Sequence, residues 1–457
     1  MPEPAAPALD QAGARVAAAR GGAATAHRPT AVLIAAYLLF SALLALLLRA
    51  GTSDLDLFFW PSAEAAAHGH PLLVYAVRTG AYPDANGPLA LLPLGLVAAL
   101  ANLLGWQAEP ARSALALGLM GVFPLLMARE AVLLVEEGRG RIERRVLAHA
   151  AFALAPALFI SVVAAGHVEQ PVELWLTLVA ARLVLRGRPG VAGCVLGLVL
   201  LTRSAALVAV LTLALVVLSG AAARARGSAP SLPRRIASAL SLPAGAGLVT
   251  GLGLLPFLLA DRHDVVFSLL TYRGNLPIGG GTWWALLARG QPWQGLVQHG
   301  DTVLFGAAGA ALVALMLWRG RGRALTPGAL AALLTVSAAC VPMLAKTAWG
   351  YYALDPYVFA AVWWLARPGP VLTWRVIAPV LLTVDSVMLS TRQVIPPPPS
   401  QVVEGMIASL LMVAVVALVM RDRSAAGTPT APAAGSGHPP ADAGGRALAG
   451  LPRLSSQ

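Results

Sequence analysis

Charge is what this 457-residue chain has least of: only 12% of its residues are Asp, Glu, Lys or Arg. A soluble globular chain carries roughly twice that share, which excludes an ordinary soluble fold. Lysine is almost missing, Lys346 being the only one, so the net charge of +12 is nearly all arginine. In a soluble protein that balance would suggest nucleic acid. Here the arginines sit in short connections between apolar runs, which points instead to the cytoplasmic loops of a membrane protein, with no nucleic-acid partner. Cysteine is scarce too. Cys194 and Cys340 both lie inside apolar runs, so neither a disulfide framework nor a zinc site is supported. No cleavable signal peptide is apparent, and the first apolar run reads as an anchor.

What the chain has is hydrophobicity: 58% of residues are hydrophobic, and the mean hydropathy is +0.72. The apolar stretches are continuous over about 17–25 residues, which predicts an all-α polytopic membrane protein rather than a β-barrel. Clear spans are expected near 30–50, 111–135, 146–165, 171–186, 236–259, 301–318, 326–345, 352–366, 373–390 and 402–420. Residues 1–28 and 424–457 are rich in Ala, Gly, Pro and Ser and are expected to be disordered tails around a single domain, 29–423. Two segments are ambiguous: 88–104 could cross or lie on the surface, and 190–219 could be one span or a pair hinged at "LTRS" (201–204).

The arginine-rich connections decide between these options. They are "EEGRGRIERR" (136–145), "RGRPG" (186–190), "ARARGSAPSLPRR" (223–235), "WRGRGR" (318–323), "ARPGPVLTWR" (366–375) and "RDR" (421–423). All six fall on one side if 88–104 is an interfacial helix and 190–219 a hairpin. The expectation is about 12 transmembrane helices (range 10–13), with both termini cytoplasmic. Long outer loops then run over 51–110 and 260–300, and loops of that length usually carry function.

Polar residues at bilayer depth are costly and normally face a cavity or a partner. Arg203 interrupts an apolar stretch of nearly 30 residues; it either contacts a phosphate or carboxylate, or snorkels from a hairpin tip. Lys346 closes the outer end of a span, as an interfacial anchor or as a point charge for a phosphate. "GHVEQP" (166–171) gathers His167, Glu169 and Gln170 at an outer turn, where a solvated turn is the plain alternative. Arg129 reads as a snorkelling side chain, and Asp385 as a group lining the bundle. "TSDLDLFFW" (52–60) puts Asp54 and Asp56 directly after the first span. Two residues apart on a helix, they point in different directions, and simple helix-end acids are the plain reading.

Taken in order, several segments resemble the GT-C superfamily of integral membrane glycosyltransferases. Asp56, Phe59–Trp60, Gly69, Tyr75 and "YPDANGPLALLPL" (82–94) are similar to the first outer loop of bacterial polyprenyl-phosphate-mannose-dependent α-mannosyltransferases. The stretch from Gly166 through the hinge at Thr202–Arg203, and "KTAWGYYALDPYVF" (346–359), resemble later parts of that family. Two departures stand out: "NGPL" replaces the family's second proline, and Arg203 stands where it has lysine. The resemblance implies transfer of a hexose, mannose-like, from a polyprenyl-phosphate sugar to a cell-envelope glycan or lipid, on the outer face of the inner (plasma) membrane. It also implies Asp56 as general base with Asp54 in reserve. Arg203 and Lys346 would meet the donor phosphate, and His167, Glu169, Gln170, Asn86 and Tyr351 the substrates. No cofactor or metal is implied. The main alternative is a 12-span transporter of the major-facilitator type, but no internal repeat is evident. An O-antigen-ligase-like enzyme would carry its largest outer loop late in the chain rather than first.

Overall fold

In the computed structural model the apolar runs are helices. The structure describes residues 34–43, 46, 54–79, 82–140, 142, 145–155, 158, 160–164, 166–228, 230–279, 282–347, 350–366, 400–422 and 428–429. The expected tails apart from 428–429, Asp385 and the span at 373–390 lie outside the described residues. In chain order the helices are α1 (Ile34–Leu43), α2 (Trp60–Ala67), α3 (Pro88–Leu104), α4 (Ala111–Met120), α5 (Val122–Arg139), α6 (Arg145–Ala153), α7 (Glu169–Leu185), α8 (Pro189–Leu200), α9 (Leu207–Ser219) and α10 (Ala221–Ala225). They continue as α11 (Leu232–Ala260), α12 (Arg262–Val266), α13 (Tyr272–Asn275), α14 (Trp283–Leu287), α15 (Gln294–Arg319), α16 (Pro327–Leu344), α17 (Leu354–Leu365) and α18 (Ser400–Arg421). Extended structure among the described residues is confined to two antiparallel pairs, Arg78–Thr79 with Tyr82–Pro83 and Arg323–Ala324 with Thr428–Pro429. The chain is therefore all-α.

Local chemistry sets several boundaries. Pro88, Pro189 and Pro327 each open a helix, where the missing N–H costs nothing. Thr326 caps α16 by accepting from the Ala329 N–H at 3.0 Å. Among the described residues four helices are long and apolar enough to cross a membrane: Ala111–Gly138, Leu232–Ala260, Gln294–Arg319 and Pro327–Leu344. Other apolar helices among those residues, such as α3, α8 and α9, are shorter. α8, for example, has 12 residues, a rise of only about 18 Å.

α16 is the central helix, buried continuously from Gly328 to Pro342. α17 and α15 pack on it, and α18 joins from another side. α11 and α15 are at the other extreme: only 17% and 22% of their apolar windows are buried. Leu240, Leu248, Leu252 and Leu259 of α11 are each more than 60% exposed. A bare leucine stripe of that extent suits lipid tails rather than water.

The 190–219 run is a hairpin and not one helix. α8 runs parallel to α11, with Gly193 beside Leu242, Gly197 beside Ala246 and Leu201 beside Gly253. A Cβ on Gly193 would lie 2.6 Å from the Leu242 carbonyl oxygen, so this close crossing needs glycine. α9 returns, and its last carbonyl, at Ser219, accepts from Arg235 at 3.4 Å near the start of α11.

The same contacts gather the basic connections at one end of the bundle. Arg186 donates to Glu137 at 2.7 Å, Arg226 to the Leu185 carbonyl at 2.9 Å and Arg224 to the Arg323 carbonyl at 3.2 Å. Trp363, near the end of α17, donates to Asp422 at 3.1 Å. The turns holding Asp54, His167 and Arg203 lie at the other end.

Candidate functional site

The hairpin hinge breaks an apolar run, and its backbone has to be satisfied. α8 ends at Leu200, Arg203 is extended (φ −155°, ψ 129°), and a 3₁₀ turn, Ser204–Ala206, leads into α9. A helix end leaves carbonyls without intrahelical donors. The first turn of α3 supplies them: the Gly87 N–H donates to the Thr202 carbonyl and the Leu89 N–H to the Leu201 carbonyl, both at 3.0 Å. The approach is so close that a Cβ on Gly87 would sit 1.9 Å from the Leu201 carbonyl oxygen. The "NGPL" sequence thus provides a glycine where the backbone of the first long loop seals the hinge.

Arg203 is 1% exposed and points into the bundle. Its Nη1 donates to Glu173 at 3.1 Å and to Asp355 at 3.3 Å, and its guanidinium lies 5.0 Å from the Tyr352 ring centre. Gln170 extends the network, donating to Asp355 at 3.2 Å and accepting from Ser161 at 2.7 Å. Below it a cavity of about 20 Å³, lined by Glu173, Asp355 and Ser337 among others, has room for a water molecule. Of the two contacts expected of Arg203, phosphate or carboxylate, the structure shows the carboxylate one: Glu173 and the partly buried Asp355 share its guanidinium. The snorkelling alternative fails, since the side chain turns inward.

A second chain of contacts starts at the outer rim. Asp54 approaches His167 Nε2 at 2.8 Å, and His167 Nδ1 lies 2.8 Å from Glu169. Buried in the turn between spans, His167 would lose its proton through desolvation. The charge of Glu169 and hydrogen bonds to Asp54 and Glu169 outweigh that loss and raise its pKa to about 9. The folded value lies above the unfolded one near 6.5, so this stabilisation is complete below pH of about 6.5 and fades as pH rises through about 9. The melting temperature of wild type is expected to fall over that window. His167→Gln should flatten this part of the profile, and an unchanged slope in the variant would refute the assignment.

Asp56 lies in the π-helical turn Leu55–Phe59, beside the rim and apart from His167. Arg112 pairs with it at 2.6 Å, is held by Glu109 at 2.9 Å, and sits 5.1 Å from the Trp60 ring centre. The two aspartates therefore have different partners, consistent with their spacing. In the same loop Asp84 is 1% exposed and accepts from the Asn86 N–H at 2.8 Å. Burial pushes its pKa up to about 8, helped by the charge of Glu169, although hydrogen bonds from Asn86 pull the other way.

Lys346 is buried in a different set of partners. Its Nζ donates to the Gly274 carbonyl at 2.7 Å and to that of Gln298, while its N–H donates to Asp301 at 3.0 Å. These contacts tie Lys346 to the 260–300 segment. Asn86 is likewise a support, its carbonyl accepting from Tyr75 at 2.9 Å. Tyr351 belongs to the 3₁₀ turn Gly350–Ala353, and its side chain lies outside the described ones. Arg129 pairs with Glu130 at 2.7 Å, on α5.

Of the residues singled out along the sequence, the structure links Asp54 with His167 and Glu169, and Gln170 with Arg203 through Asp355. Sequence reasoning missed Glu173, Asp355, Asp84 and Arg112. The available signal was a carboxylate inside or bordering an apolar run, at Glu173 and Asp355, which demanded a cationic partner. Among the described residues no group of His, Cys, Asp or Glu is arranged to hold a metal ion. No family model matches the sequence, and no curated protein or solved structure does either.

Proposed function

We propose that this protein is an integral membrane glycosyltransferase that moves a mannose-like hexose from a polyprenyl-phosphate donor to a glycan or glycolipid acceptor of the cell envelope. The observation that carries the reading is the gathering of Asp56, Asp54, His167 and a buried carboxylate–arginine network at the bundle end opposite the basic connections. With those connections cytoplasmic, this site faces outward, where lipid-linked sugars are used and nucleotide sugars are absent. A multi-pass plasma-membrane topology of about twelve crossings, with both termini inside, fits the order in which the helices run between the two ends. Short helices such as α8 and α9 would count as crossings that pair at a hinge. α3, with Leu96 and Leu103 exposed, would lie in the interface.

In the transfer, the acceptor hydroxyl oxygen attacks C1 of the sugar, the C1–O bond to phosphate breaks, and polyprenyl phosphate leaves. Asp56 takes the hydroxyl proton as general base. Arg112 pairs with that carboxylate at 2.6 Å and fixes its orientation. Arg203 is committed to Glu173 and Asp355, so the leaving phosphate needs another cation. Arg273, half-buried and donating to Ser204 at 3.2 Å beside the hinge, is placed for it, with Lys346 bracing the neighbouring Gly274.

One observation favours a second reading. Titratable carboxylates buried against Arg203 at a broken helix also suit a proton-coupled transporter. The two readings separate in one preparation of the purified protein in liposomes. Supplied with polyprenyl-phosphate mannose and a glycolipid acceptor, a transferase lengthens the acceptor. If no sugar is transferred, and a pH gradient drives solute uptake instead, the transporter reading replaces it.

A further inference from the structure

At the end of the bundle that carries the basic connections, two guanidinium groups converge on one backbone oxygen. α9 stops at Ser219, and Gly220 follows in the left-handed region (φ 70°). The Ser219 carbonyl accepts from Arg224 Nη1 at 3.0 Å and from Arg235 Nη1 at 3.4 Å. Both side chains crowd Gly220: a Cβ there would lie 2.9 Å from Arg235 Cδ and 3.3 Å from Arg224 Nη1. Arg224 Nε donates to the Arg323 carbonyl at 3.2 Å, which brings in the connection after α15. Arg235 Nε is buried without a hydrogen-bond partner among the described residues. Desolvation and the charge of Arg235 hold the Arg224 guanidinium below its ordinary pKa.

Among the described residues no carboxylate pairs with either guanidinium. The sequence has no Asp or Glu between Glu173 and Asp261, or between Asp301 and Asp355. Acids of the neighbouring connections face other arginines: Glu136 pairs with Arg145, and Glu137 with Arg182 and Arg186. The C-terminus of α9 contributes only about half a negative charge against these two positive ones. A buried donor without an acceptor, beside two like charges, calls for an anion. We propose that Arg224 and Arg235 bind a phosphate group of net negative charge. Guanidinium forks match phosphate oxygens in pairs, and at the end of a membrane bundle the ready source is the headgroup of an anionic phospholipid. The exposed Arg226 and Arg234 stand next to the pair in the chain and widen the positive rim. This holds whichever reaction the outer end carries out.

The test follows the melting temperature of the purified full-length chain in detergent micelles as phosphatidylglycerol, phosphatidylcholine or inorganic phosphate is added, since a ligand held by the folded chain raises it. Phosphatidylglycerol is expected to raise it saturably. Phosphatidylcholine, whose choline cancels the charge, should act at least about tenfold more weakly. Replacing both arginines, Arg224→Gln with Arg235→Gln, keeps amide donors for the Ser219 carbonyl and removes both charges. That variant should bind phosphatidylglycerol about tenfold more weakly or worse, as expected on losing hydrogen bonds to a charged group. Arg188→Gln, which removes an exposed arginine of the same end, should change it less than about twofold, because a lone surface charge is screened. If the double variant does not fold, Arg235→Gln alone leaves Arg224 on the Ser219 carbonyl and should weaken the lipid about fivefold. Protection by inorganic phosphate alone, lost in the same variants, would keep the site and make free phosphate its ligand. Equal protection by phosphatidylcholine, no protection by either phosphate source, or a loss in Arg188→Gln as large as in the junction variants would overturn the site.

Discussion

Asp56→Asn is expected to lower the turnover of sugar transfer by about 10²–10⁴-fold, the range for a lost general base. The amide is nearly isosteric, so α2, Trp60 and the π-helical turn should keep their places. What disappears is the lone pair that takes the acceptor proton, together with the ion pair to Arg112 at 2.6 Å. The loss should fall on kcat, with KM values changed much less, because only the transition state uses the base. Asp54→Asn should cost less, since Asp54 contacts His167 rather than sharing Asp56's partner. Steady-state transfer assays on both variants decide the matter. A severe loss in Asp54→Asn with activity kept in Asp56→Asn would move the base to Asp54. Full activity in both would remove it from this segment.

Arg203→Leu is expected to be the most destabilising single substitution at the outer end. It would leave the buried Glu173 and the partly buried Asp355 without their shared cation, and breaking a buried pair in this way typically costs about 3–5 kcal/mol. The readout is the yield of folded protein in detergent and its thermal melt. Arg203→Lys keeps a charge in the same place and should be milder, though it loses the planar guanidinium that faces Tyr352 at 5.0 Å. Combining Arg203→Leu with Glu173→Leu and Asp355→Leu should restore much of the melting temperature, since a well-packed apolar substitute for a buried ionic group is often neutral. If Arg203→Leu alone melts like wild type, the network does not hold the hinge.

These two expectations draw on different amounts of what can be read along the chain. Asp56 stands out in the linear order, as an acid directly after an apolar run and before Phe58–Trp60. Its partner Arg112 does not, because 56 residues separate them and only the packing of α3 and α4 beside α2 closes that gap. Arg203 was visible as an expensive residue, but its carboxylate partners were not. Glu173 lies 30 residues away and Asp355 lies 152 away. Periodicity says that each sits on a helix, and leaves open which helix face meets which. Lys346 illustrates the same gap: a lone cation at a span end resembles a ligand contact until the 260–300 segment folds back over it.

The sequence by itself determined that the chain is all-α and apolar enough for a membrane. It also pointed to the break of the 190–219 run at Thr202–Arg203, where the hinge lies. Those follow from local properties: the cost of a charge in an apolar run, the length of that run, and the backbone freedom of glycine. Only the tertiary structure decided that Arg203 is paired from α7 and α17, that Gly87 seals the hinge, and that Asp84 and Glu169 each keep an oxygen without a partner among the described residues. Ion pairing and desolvation depend on distances of a few ångströms between segments far apart in the chain, and these are set when the helices pack.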